Sequence, residues 1–467
     1  MMDCQTLGRN LRSWLAIDER EGVVRFAQSP AGKIAIFAFV LALLCLPQVV
    51  KRLDPPWWVA CTLIGLALHA YLPRFRGPVL FAFTWGIAAL SLPASPMLYA
   101  SLGVFFVLSW CTLLYARRCP GHLVPRRPVV TLLAIQLGLA CVASILPGGG
   151  ITDSIWAFLL VSVGGYWFLA YAIVDQRSRD RSPDLVQMGV VHPFWVTSTT
   201  PIGKGAAFLR RHLSRTSHDL AVTQIKGVKL LLWAVVLLAT NAALYWVVIL
   251  KFGIPTTHEA LAAFLEGRPY PVLVGWSAVI FSTVHTSLAV AVWGHKIIGL
   301  ARLAGFRLPR NMCRPLESRT LAEFWNRFYF YFNELLVDFF YIPAFLSAFK
   351  KSPRQRILFS TLMAAGVGNA VFHFVRDIGL VQTMGVRDAI VSFNSYLFYS
   401  TVLGAGIAIS QMRRASGFVP GSTLLARIWS FVCVWSFVVC LNIFGDESRV
   451  HTLFERLAFM ASLFGAS

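Results

Sequence analysis

Long apolar runs separated by short polar and basic stretches set the pattern of this chain. Runs long enough to cross a bilayer recur near 34–50, 57–72, 78–92, 96–115, 128–146, 154–174, 228–250, 272–293, 357–375, 388–411 and 424–445. They predict an all-α polytopic membrane protein with about eleven transmembrane helices. One further run, Thr320 to Leu346, is the most aromatic of all and yet carries Glu323, Arg327, Glu334 and Asp338. Ionisable groups at membrane depth are costly, so this segment reads as functional.

The basic residues gather in particular loops: ARRCPGHLVPRR, Asp175 to Lys226, Gly294 to Arg319, and KKSPRQR at 350–356. Ser91 to Ser95 and Pro147 to Asp153 carry no Lys or Arg. The positive-inside rule puts the N-terminus and the basic loops on the cytoplasmic side. Both loops flanking Thr320–Leu346 are basic, so that segment should enter and return as a broken or re-entrant helix, tolerated only where it is buried in protein or lines a wet cavity.

Four regions follow: a cytoplasmic or interfacial segment 1–33, N-terminal transmembrane helices 34–174, a basic cytoplasmic loop 175–227, and a core 228–467. In the first, Leu7, Leu11, Trp14 and Leu15 at helical spacing fit an interfacial helix or an ordinary surface helix, and the interrupting charges exclude a cleaved signal peptide. The 175–227 loop contains His192, His212 and His218 and reads chiefly as a cytoplasmic loop with short surface helices. Its stretch HPFWVTSTTPIGKG also mixes aromatics, Pro and Gly as a loop packed under a membrane core would.

Composition excludes an ordinary soluble globule: of 467 residues 57% are hydrophobic and 13% charged, with mean hydropathy +0.65. The net charge of +21 is spread through the loops, which fits membrane topology and anionic lipid headgroups rather than nucleic acid. The nine cysteines fall mostly inside apolar runs as small hydrophobes, with no CxxC and no zinc-ligand spacing. His258-Glu259 opens an HExxH pattern that Ala262 ends, and no GxSxG, Walker or dinucleotide motif is present. No metal and no permanently bound cofactor is therefore expected.

Read as a helix, the central segment puts Asn326, Tyr329 and Asn333 on one face. Arg327, Glu334 and Asp338 share a neighbouring face, with Glu323 one turn before Arg327, and together read as an internal charge network. Gly366, Asn369 and His373 repeat the same spacing on the next run. His285, in STVHTSLAV, is a second intramembrane histidine, readable as a hydrogen-bonded packing residue or as a functional one.

The run EFWNRFYFYFNELLVDFFYIP and the later histidine of GVGNAVFHF resemble the membrane-bound O-acyltransferase (MBOAT) family, in the branch of alginate O-acetyltransferase and the teichoic acid D-alanyl transferase. Phe324, Trp325 and Arg327 match its Phe-Trp-x-Arg opening, and Asp338, Phe339, Tyr341, Ile342 and Pro343 its Asp-aromatic-x-Tyr-Ile-Pro close. WSFVVCLNIFGDES and FERLAFMASLFG resemble the family's closing segments. Two features depart from the pattern. Tyr329 stands where the branch usually has a second His, and only Phe372 and His373 remain of the Gly-Leu-Trp-His-Gly-like turn.

The resemblance implies transfer of a short acyl group, most often acetyl, from an acyl-CoA or acylated carrier-protein thioester to a hydroxyl of a saccharide or other cell-envelope acceptor. It implies a bacterial cytoplasmic (inner) membrane setting, with accessory envelope acetylation proteins as partners. His373 would be the general base, since an imidazole suits proton abstraction near neutral pH. Asn369 and either Tyr329 or Asn333 would donate to the oxyanion, and Trp325, Asn326 and His285 would contact substrate. Two other readings stay open. One is a proton-coupled transporter or flippase with Arg327, Glu334, Asp338 and His373 as a relay, and the other is an inactive MBOAT-derived scaffold.

Overall fold

The computed structural model describes residues 16–46, 55–178, 181–445 and 450–465. The expected helix at Leu7–Leu15 lies outside them. Among the described residues the secondary structure is helical, with one isolated bridge between Leu213 and Phe306. Seven helices are long and apolar enough to cross a membrane, or up to ten if three sharply bent pairs each count as one span. The chain is an integral membrane protein.

In chain order, α1 (Glu21–Gln28) meets α2 (Pro30–Leu44) at 93°, and α3 (Pro56–Tyr71) meets α4 (Arg76–Ser91) at 113° across Pro73–Phe75. Then come α5 (Pro96–Arg118), α6 (Pro128–Ile145), α7 (Gly150–Asp175), α8 (Ser217–Lys251) and α9 (Val272–Leu303). The central segment forms α10 (Leu321–Phe328) and α11 (Phe330–Leu336), followed by α12 (Pro353–Arg376). Val386–Ser392 bends by 43° into α13 (Asn394–Ala415), and α14 (Leu424–Asn442) is the last candidate span. Proline at the first helical positions of α2, α3, α5, α6 and α12 starts each where a missing N–H costs nothing.

The eleven expected spans are thus not eleven straight helices. The runs 57–72 and 78–92 become two 16-residue helices, each about 24 Å long and short of a hydrocarbon core of about 30 Å. Proline lacks the N–H that would carry one helix into the next, so the pair turns at Pro73.

The α7 helix is the centre of the molecule, with 67% of its most apolar window buried, whereas α14 has only 11% and turns its apolar side chains outward. Such outward faces belong against lipid. Helices α8 and α9 cross closely at two glycines: a Cβ on Gly227 would lie 2.8 Å from the Gly299 carbonyl oxygen. Small residues let membrane helices approach this way.

The 175–227 insertion corrects the reading of a surface loop. Phe194, Trp195, Val196 and Ile202 are almost fully buried, in one cluster with Phe306, Leu308 and Tyr331. Its aromatic and Pro/Gly-rich stretch packs among the helices. His192 stands there edge-on to Phe168 of α7, and burial holds its pKa down at about 4. The unfolded chain takes up that proton near pH 6.5 and the folded chain refuses it until about 4, so stability is complete above the unfolded value and falls as pH drops between them. The melting temperature should therefore fall between about pH 7 and 5, and less in His192→Gln.

Candidate functional site

The central segment does break, at Tyr329, whose φ of −144° and ψ of 74° interrupt the helix between α10 and α11. A break strands backbone donors and acceptors that must be satisfied wherever they are buried. The extended stretch before α10 supplies them. Cys313 N–H donates to the Arg327 carbonyl at 2.8 Å, Phe330 N–H to the Asn311 carbonyl at 2.8 Å, and Tyr331 N–H to Asn311 Oδ1 at 3.3 Å. Asn311 fits because Gly294 of α9 has no side chain: a Cβ there would lie 2.9 Å from Asn311 Nδ2. Asn311→Ala should cost about 1–3 kcal/mol by leaving a buried N–H unpaired. Unchanged thermal stability in detergent would show that the backbone pairs alone hold the break.

Following α11, Val337–Tyr341 is a π-helical turn carrying Asp338, and Leu362–Gly368 is a second one within α12, just before Asn369. The two turns pack where Gly368 meets Phe340: a Cβ on Gly368 would lie 2.7 Å from the ring. Such bulges re-aim side chains and recur at functional sites.

Asp338 and Glu334 point to a partner on the buried insertion. Lys204 Nζ lies 2.6 Å from Glu334 Oε2 and 2.8 Å from Asp338 Oδ2, and Tyr171 of α7 donates to Asp338 Oδ2 at 2.8 Å. Lys204 has a φ of 53°, a left-handed backbone that costs a non-glycine residue energy and persists where surroundings impose it. Burial opposes its charge, but the two carboxylates outweigh burial and hold its pKa above the usual lysine value.

The single expected charge network is two. Arg327 pairs not with Glu334 or Asp338 but with Glu323 at 2.7 Å and Glu317 at 3.4 Å, in a half-exposed cluster. The cation of the buried cluster, Lys204, is a residue that sequence reasoning missed. Its one local signal is a lone lysine in the Pro-Ile-Gly-Lys-Gly turn.

His373 and Asn369 share a face of α12 that looks onto α13. The His373 ring lies 4.3 Å from the Tyr396 ring, centroid to centroid, and Tyr396 Oη donates to Asn369 Oδ1 at 3.0 Å. Gly366, on the same face, stands opposite the Ser400 carbonyl and Gly404. Asn369 is 1% exposed, and its Nδ2 has no acceptor among the described residues. An amide fixed at one end with an unspent donor at the other is available to an oxygen placed beside His373. Tyr396 was also missed, although NSY opens an otherwise apolar run.

The other candidates are placed differently. The Tyr329 hydroxyl shares a hydrogen bond of 2.9 Å with Thr200 Oγ1 of the insertion, and its ring packs on Phe332, which also meets His373. Asn333 donates to Asn326 Oδ1 at 3.0 Å in an exposed pair. Trp325 is buried against Phe332 as a core residue. His285 stacks on Phe281 and packs near Tyr245.

Two cavities lined in part by charged and polar side chains lie near the His373 cluster, though neither is lined by His373 or Asn369. One, of about 410 Å³, contains Lys204 and Asp338 and is ringed by Arg126, Arg127, Arg177 and Arg211. Tyr171 lines it, and one turn earlier on α7 Trp167 stacks on Phe372, the neighbour of His373. The other, of about 440 Å³, lies beyond the far end of the 35-residue α8 and contains Thr257, His258, Ser282, Asn442, His451 and Arg456. Gly445 on its wall abuts Tyr399, which stacks on Tyr396. Among the described residues no three His, Cys, Asp or Glu side chains gather as a metal site. Compared with protein-family models and with curated proteins, the chain matches none.

Proposed function

We propose that this protein is a membrane-bound O-acyltransferase, moving a short acyl group, acetyl first among them, from a thioester donor to a hydroxyl of a saccharide or other cell-envelope acceptor. The observation that carries the reading is the pair on one face of α12: His373 beside a buried Asn369 whose Nδ2 is unspent. It rests together with the MBOAT-like residues Phe324 to Pro343.

His373 takes the proton of the acceptor hydroxyl as its oxygen attacks the thioester carbonyl. Asn369 Nδ2 donates to the oxyanion of the tetrahedral intermediate. The C–O bond formed, the oxyanion collapses to re-form the carbonyl and the C–S bond breaks, and the imidazolium gives its proton to the departing thiolate. The arginine-ringed cavity suits the phosphates of an acyl-CoA or carrier-protein arm, and the opposite polar cavity suits a hydroxylated acceptor. In this reading the basic side is cytoplasmic, the membrane is a bacterial inner membrane, and an accessory envelope protein would receive or present the acceptor.

The test is incubation of purified protein in vesicles with radiolabelled acetyl-CoA and envelope extract, scoring transfer and plain hydrolysis separately. Label in envelope material that depends on His373 supports the reading. No transfer and no hydrolysis with folded protein removes it. The Lys204–Glu334–Asp338 cluster favours a second reading, a proton-coupled transporter, and pH-driven flux lost in Asp338→Asn without loss of folding would put that first.

A further inference from the structure

A third cavity, at about 980 Å³ larger than those two, is of another kind. It is a groove between α9 and α14, with Leu237 of α8 at its back, and its walls are apolar: Ile280, Val284 and Leu288 face Val432 and Val439. Ile280 and Val432 are 48% and 44% exposed, so the groove opens sideways to where lipid would lie. From Trp276 to His295 its α9 wall runs about 28 Å, close to the thickness of a hydrocarbon core. At one end Trp276 closes it by donating to the Leu463 carbonyl at 2.7 Å and packing edge-on to Phe464.

The other end is charged. Arg310 and Arg314 stand there with His295 and Glu317. Arg314 adopts a left-handed backbone, φ 51° and ψ 55°, a second strained basic residue beside that of Lys204. It shares Glu317 with Arg327, at 3.6 and 3.4 Å, while Arg310 has no carboxylate partner among the described residues. The groove therefore joins a long apolar slot to a head-sized site with surplus positive charge.

We infer that this groove holds one anionic phospholipid, its phosphate on Arg310 and Arg314 and an acyl chain lying along α9 toward Trp276. The chemistry is complementary at both ends: the slot buries hydrocarbon, and the guanidinium groups bind a phosphate that a zwitterionic headgroup would partly neutralise. Release of Glu317 from Arg314 as phosphate arrives leaves that carboxylate to Arg327. Bound lipid thus tightens the end of the broken central segment, to which Cys313 is already tied.

The inference does not depend on the acyltransferase reading, and its test reads lipid alone. Purified protein is exchanged into nanodiscs of phosphatidylcholine with a minor fraction of phosphatidylglycerol, re-extracted in mild detergent, and weighed intact. One retained phosphatidylglycerol per chain is expected, preferred over phosphatidylcholine. Arg310→Ala combined with Arg314→Gly removes the charge while glycine keeps the left-handed turn, and should weaken retention about tenfold. Ser287→Trp fills the slot, leaves both arginines, and should also lose the adduct. Equal retention of the two lipids, or retention unchanged in both variants, overturns the proposal. So does a groove that takes a polyprenyl phosphate and excludes phosphatidylglycerol.

Discussion

His373→Ala lowers acyl transfer by about a hundredfold or more and leaves the protein folded and inserted. The expected size is that of losing a general base. The ring occupies a half-buried position between Tyr396 and Phe332, so its loss removes packing as well as the imidazole. His373→Gln keeps more of that volume and should fall equally in rate, which separates chemistry from packing. Transfer rates and melting temperature are measured on the same samples. Wild-type turnover in either variant would remove His373 from the reaction, and loss of folded protein in both would leave a packing role alone. Tyr396→Phe supplies a finer reading, because it keeps the ring that packs on the imidazole and removes the hydroxyl that donates to Asn369 Oδ1. Tyr396 is a positioning residue, so its loss should lower turnover less than loss of His373 and be matched by a loss in Asn369→Ala.

The second large effect is on stability. Lys204→Ala should cost about 3 kcal/mol, because it leaves Glu334 and Asp338 facing one another without their cation. The Lys204 side chain is 13% exposed and the carboxylates about 30%, which sets the cost near the lower end for a buried pair. Adding Asp338→Asn to Lys204→Ala removes one of the stranded charges and should recover much of the loss, as a thermal melt would show. Arg327→Ala gives the contrast. Its cluster is a third to a half exposed, and about 1 kcal/mol or less is expected. Equal costs at Lys204 and Arg327 would mean that burial does not distinguish the two clusters.

What the sequence by itself determined is local. Apolar length predicted helices of membrane-spanning size, and the basic loops on either side of Thr320–Leu346 predicted a segment that cannot run straight through. The helical period put Asn369 and His373 on one face, and the 3.6-residue repeat is enforced by hydrogen bonds four residues apart. Even there the length of a run did not decide its shape. Pro73 turned two expected spans into a sharply bent pair of short helices.

Only the tertiary structure decided which charges meet and what faces the histidine. Lys204 reaches Glu334 across 130 residues because the 190–205 stretch folds under the core, and no spacing rule carries that far. Tyr396 meets Asn369 because α13 packs on the glycine-bearing face of α12. Arg327 belongs to Glu323 and Glu317 because the non-helical backbone at Tyr329 interrupts the helix between α10 and α11, so a face drawn for one continuous helix no longer holds. Periodicity is a property of one element, whereas partners across elements are set by how buried apolar faces pack, and that packing is a property of the whole chain.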